Sequence, residues 1–193
     1  MATAATSRRA RDPVRDTRAQ QRDEFGGLNW GAAFFGWLVA VGVATLLTAI
    51  LSAAGAAIGL TKTSSSQAAD SADTIGIAGG ILFLLVLLVA YFAGGYVAGR
   101  MSRFDGPRQG AGVWVIGLLV TILLAVAGVL LGGKYNVLSQ LNLPRIPIDE
   151  GTLTTGGVIA LVAVVLGTLL AAVLGGKTGT RYHRKIDKIG DNA

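Results

Sequence analysis

The stretch from Thr74 to Gly99, TIGIAGGILFLLVLLVAYFAGGYVAG, contains neither a charged side chain nor a proline. A helix rises about 1.5 Å per residue, so roughly 20 residues cross a hydrocarbon core about 30 Å thick. This segment is long enough to do so. It shows none of the period-two alternation of a membrane-barrel strand, and an isolated strand would leave its backbone polar groups unsatisfied in lipid. The stretch therefore reads as a transmembrane helix.

The same reading extends to three more uncharged windows, Phe25 to Thr61, Gln109 to Gly133 and Gly151 to Gly176. The predicted fold is an all-α bundle of four transmembrane helices, with spans at about residues 30–60, 74–99, 109–133 and 153–176. It occupies residues 29–178. Residues 1–28 read as a disordered basic tail and 179–193 as a second basic tail. Composition agrees: hydrophobic residues make up 52% of the 193 and charged residues only 15%, a balance too apolar for an ordinary soluble domain. No proline lies inside an apolar window, and the absence of cysteine excludes disulfides, thiolate metal sites and a cysteine nucleophile.

Positive charge is distributed unevenly among the connecting segments. Of seventeen lysines and arginines, fourteen fall before the first span, between spans two and three, or after the fourth. Only Lys62, Lys134 and Arg145 fall on the other side. The positive-inside rule then puts both termini in the cytoplasm and the loops Lys62 to Asp73 and Lys134 to Glu150 outside. Ser7, Arg8 and Arg9 resemble a twin-arginine start, but the apolar run that follows is too distant and too long for a signal peptide.

The two predicted hairpins share a pattern. Phe25, Gly27, Gly31 and Ala32 recur 79 residues later as Phe104, Gly106, Gly110 and Ala111, and Gly95 and Gly99 recur 80 residues later as Gly175 and Gly179. Two tandem hairpins in the same orientation would be related by an axis along the membrane normal. Coincidence in a glycine-rich chain is the alternative.

Small residues at four-residue spacing mark candidate packing faces: Gly55 and Gly59, Gly76 and Gly80, Gly95 and Gly99, Gly128 and Gly132, and Gly167, Ala171, Gly175 and Gly179. Helices in lipid associate through close van der Waals contact along such stripes, since burial from water no longer drives them together. Packing within the bundle is preferred over a homodimer face. Arg100, Arg103 and Arg108 in the middle turn, with Arg181, Arg184 and Lys185 in the tail, are placed to meet anionic phospholipid headgroups or to anchor the topology. Asn29, Trp30, Trp37, Tyr96 and Trp114 read as interfacial anchors, and Pro107 suits the first turn of the third helix. The outer segment Tyr135 to Leu143 reads as an amphipathic turn lying on the membrane face, with a partner-binding segment as the alternative.

Nothing in this pattern supplies reactive chemistry, so no catalytic, cofactor-binding or metal-binding residue is assigned and no cofactor is expected. His183, the one histidine, stands in a basic tail without partners for a metal. The spans contain hydroxyls, among them Thr45, Thr48, Ser52, Tyr91, Thr121 and Thr168, but none of the ionisable groups that mark proton relays and ion pathways. Asp105 and Gly106 resemble the Asp-Gly pair of CDP-alcohol phosphotransferases, yet the further paired aspartates of that metal chemistry are missing.

The segments NWGAAFFGW (residues 29–37) and GGYVAGR (residues 94–100) together resemble a family of small four-helix integral membrane proteins, of uncharacterised role and frequent in actinobacteria. The resemblance would span Phe25 to Lys185. It implies a fold and a bacterial cytoplasmic membrane, and it carries no activity. The expected function is a non-enzymatic scaffold, accessory subunit or envelope-stress component, with a small oligomeric channel or transporter as the alternative. Its expected partners are the bilayer and either further copies of itself or another membrane protein, not nucleic acid.

Overall fold

The computed structural model describes residues 20, 21, 23, 24, 26–62, 72–102, 104–135 and 155–181, with side chains left aside at 56–62, 72–76 and 131–135. Within them lie four long helices, α1 (Trp30–Lys62), α2 (Ala72–Met101), α3 (Gly106–Tyr135) and α4 (Thr155–Gly179). No strand occurs among the described residues. The apolar parts, Trp30–Gly55, Ile77–Met101, Gly106–Leu130 and Thr155–Gly179, are each long enough to cross a membrane. At 25 or 26 residues they measure about 38 Å, which a core of about 30 Å accommodates by tilting.

Local sequence sets the helix starts. Asn29 caps α1, its Oδ1 accepting from the Ala32 N–H at 3.0 Å. Asp105 precedes α3 with φ at +53°, a conformation that asparagine and aspartate tolerate better than most residues, and its carbonyl accepts from the N–H of Arg108 and of Gln109. Pro107 then falls in the first turn, where a missing N–H costs nothing. The paired glycines at 79–80 and 156–157 open no break, and α2 and α4 run through them as helix.

Chain order alternates the helix directions, so α2 and α4 run parallel to each other. α2 and α3 each pack against all three other helices, whereas α1 and α4 barely meet. The cross-section is thus a rhombus with α2 and α3 across its short diagonal. Its interior is made of small side chains: the buried apolar residues are Ala32, Ala33, Ala40, Val86, Ala90, Ala98, Val113 and Ala172. Large apolar side chains point outward instead, as with Leu46, Ile50, Val129 and Leu130, each at least 63% exposed. In water such a surface would aggregate; in lipid it is solvated.

Among the residues whose side chains are described, full burial is confined to one end. Every buried residue of α1 lies between Ala32 and Ala40, of α2 between Val86 and Gly99, of α3 between Gly106 and Gly117, and of α4 between Thr168 and Gly179. These four stretches are adjacent to Arg100, Arg108, Lys177 and Arg181. Toward the opposite end, residues 41–55, 77–85, 118–130 and 155–167 contain no buried position. Over the described residues the bundle is closed at its basic end and opens toward the other, its splayed half.

Candidate functional site: the closed end and the cavity above it

Glycines make the closed end possible, because at most of its crossings a Cβ would strike a neighbouring backbone. One added at Gly95 would meet the Ala172 carbonyl oxygen, and one at Gly99 the Gly176 carbonyl oxygen. In return, Gly175 faces the Phe92 carbonyl oxygen and Gly179 that of Tyr96. Residues 172 and 176 stand 80 positions after 92 and 96, so the α2–α4 contact is reciprocal in the register of the sequence repeat. The helix starts break that symmetry. Gly106 and Gly110 pack on α4 at Gly176, Thr180 and Ala172, whereas a Cβ at Gly27 would meet nothing and one at Gly31 only the Asn29 side chain.

The remaining predicted packing residues divide by position along the helices. A Cβ at Gly167 would lie 3.1 Å from the Leu88 side chain, and Ala171 is half-buried. At Gly55, Gly80 and Gly128 a Cβ would meet nothing within 4 Å. These three lie in the splayed half, where four-residue spacing alone does not bring helices together. Gly59, Gly76 and Gly132 lie outside the residues whose side chains are described. A second stripe, set one residue aside and not marked by glycine spacing, lets alanine and glycine serve alike. A Cβ at Gly36 would lie 2.6 Å from the Gly94 carbonyl oxygen and 2.8 Å from the Ala98 Cβ, at a crossing that joins α1 to α2. Treating alanine as equivalent to glycine would have found Ala32, Gly36 and Ala40, and Ala90, Gly94 and Ala98.

A polar clasp ties the segment before α1 to the start of α3. The fully buried Gln109 donates from Nε2 to the Gly27 carbonyl oxygen at 2.7 Å and accepts at Oε1 from the Asn29 N–H at 3.1 Å. The Gly27 N–H donates to Asp105 Oδ2 at 3.0 Å, and φ of +104° at Gly27 explains why glycine stands there. In the sequence Gln109 gives no sign of this role, because a lone glutamine beside an apolar window reads as a boundary residue.

Two of the aromatic residues expected at the interface turn inward. Trp114 donates from Nε1 to Thr168 Oγ1 at 3.1 Å, linking α3 to α4, and Trp37 is half-buried against the small core of Ala33, Ala98 and Val113. Trp30 and Tyr96 remain exposed as expected. Of the basic residues, Arg108 and Arg181 are exposed, Arg100 is half-buried, and Arg103, Arg184 and Lys185 lie outside the described residues, as do His183 and the segment 136–143. Arg108 reaches Asp105 Oδ2 at 3.4 Å with its side chain 70% exposed, a surface pair of small energetic weight.

Above the closed end, α1, α2 and α3 separate around a cavity of about 410 Å³. Trp37, Ala40, Ala90, Tyr91 and Gly117 line its inner part, and the exposed Val41 and Leu124 stand at its rim. A smaller gap of about 230 Å³ lies farther out between α1 and α2, beside Thr48, Ser52 and Gly79. No group of three or more acidic, histidine or cysteine residues placed to hold a metal occurs among the described residues. Comparisons with protein-family profiles, curated proteins and solved structures give no match to this chain.

Proposed function

We propose that this chain is a non-enzymatic protein of a bacterial cytoplasmic membrane, with both termini in the cytoplasm, acting as a scaffold, accessory subunit or envelope-stress component. The observation that carries this reading is the asymmetry of the bundle: closed by glycine contacts at the basic end, and splayed at the other, where apolar faces are offered sideways. Those faces suit lateral association with other membrane helices, through the same small-residue contacts that close the bundle. The basic end supports the orientation, since cytoplasmic loops carry the excess of arginine and lysine. The resemblance to small four-helix actinobacterial membrane proteins belongs to the same reading. Extraction in a mild detergent should bring down a second membrane protein in near-stoichiometric amount; purification as a lone monomer would count against it.

An oligomeric channel or transporter is the second reading. The gap beside Thr48, Ser52 and Gly79 is what favours it, since hydroxyls and glycine backbone could line a pore between copies. Reconstituted into liposomes, the protein is expected not to accumulate any ion against its gradient, because no charged side chain lies at membrane depth to couple the movement. Accumulation abolished by an ionophore would replace the scaffold with the transporter.

A further inference from the structure

The cavity between α1, α2 and α3 has the dimensions of a ligand site, which typically measures about 300–1,000 Å³. Its depth is fixed by Tyr91. That residue stands ten positions before the basic end of α2 at Met101, about 15 Å along the helix, which is half of a hydrocarbon core. Trp37, Ala40, Val41, Ala44, Leu87, Ala90, Val120 and Leu124 give the wall its apolar character, and only Tyr91 and Thr121 bring hydroxyls to it.

The two hydroxyls differ in how they are satisfied. Thr121 donates to the Gly117 carbonyl oxygen at 2.8 Å, the return bond to its own helix that Thr45 and Thr168 also make. Tyr91 has no such recourse, because its hydroxyl sits at the far end of a rigid ring. It abuts Gly117, where the lack of a side chain makes room for it, and no described residue forms a hydrogen bond with it. A hydroxyl at this depth gains from an acceptor, and water is a poor candidate where the wall offers so few polar partners.

We propose that this cavity binds a neutral, membrane-dissolved molecule with an apolar body and a carbonyl oxygen, a quinone or a long-chain ketone, whose oxygen accepts from Tyr91. Neutrality follows from a wall without any charged side chain, which would not compensate a desolvated ion. Access runs past Val41 and Leu124 from the splayed half, so the ligand enters sideways from the lipid. A saturated acyl chain would fill the same volume and leave the Tyr91 hydroxyl unsatisfied, which is why the oxygen-bearing molecule is favoured.

Trp37 lines the cavity and provides the readout. In nanodiscs holding the full chain, a benzoquinone with a ten-carbon tail should quench tryptophan fluorescence saturably, beyond the linear quenching that partitioning alone produces. Tyr91→Phe should raise the half-saturating concentration roughly two- to tenfold, the worth of one hydrogen bond, and Ala44→Phe should remove the saturable part by filling the space. With the unmodified protein, 2-dodecanone should displace the quinone at a concentration roughly two- to tenfold below that needed with dodecane, a comparison independent of how any variant folds. Purely linear quenching in the unmodified protein, or equal displacement by the ketone and the alkane, would overturn the proposal.

Discussion

Glycines at positions 99 and 179 show what a single residue contributes when lipid is the solvent. Each approaches the backbone of a facing helix, so Gly99→Leu or Gly179→Leu should force α2 and α4 apart and cost about 1–3 kcal/mol or more, the range for overpacking. Leu85 is 51% exposed to what would be lipid, and Leu85→Ala should stay within about 0.5 kcal/mol. Thermal unfolding in detergent separates the cases; equal midpoints for all three would contradict the packing described. Gln109 acts differently, since it satisfies two backbone groups of the segment before α1. Replacing it by leucine leaves the Gly27 carbonyl and the Asn29 N–H without that partner, and should cost about 1–3 kcal/mol in the same assay. Of these residues the sequence singled out the two glycines, because their spacing is regular, and overlooked Gln109, whose role depends on a partner about 80 positions away.

At the scale of the helix, uncharged windows located all four elements, and the structure carries α2 and α3 past their windows at both ends and α1 and α4 past theirs at the C-terminal end. α3 begins at Gly106 where the window begins at Gln109, because Arg108 is excluded by charge yet Asp105 and Pro107 form a competent helix start. Which stretch of each helix would pack was less legible. Small residues recur along the full length of the spans, and spacing alone cannot separate the contact at Gly95 and Gly99 from the open positions Gly55, Gly80 and Gly128. Uniform apolarity also hides the inward face, since lipid-facing and helix-facing residues differ in size more than in polarity. The splayed half then yields its own prediction. Leucine at Gly55, Gly80 or Gly128 should leave the unfolding midpoint of the isolated protein within the equivalent of about 0.5 kcal/mol, and a large loss at any of them would mean that the helices meet there.

The whole molecule is a four-helix bundle built on contact between backbones around only a small hydrophobic core, which is how helices associate when the surrounding solvent is as apolar as leucine. The class of fold was legible because charge and length alone define a span. The cavity was not, because Trp37, Tyr91 and Thr121 come from three helices and carry no shared spacing. Orientation in the membrane is open to cysteine labelling, because the chain has no cysteine of its own to add background. Single cysteines would be placed at Ser7, Thr63, Pro107, Asn142 and Ala193 and exposed to a membrane-impermeant maleimide, in intact cells and after permeabilisation. Four crossings with both termini inside predict labelling of the Thr63 and Asn142 positions in intact cells, and of the Ser7, Pro107 and Ala193 positions only after permeabilisation. Labelling of Ala193→Cys in intact cells, or protection of Thr63→Cys there, would contradict a bundle that crosses the membrane four times with both ends inside.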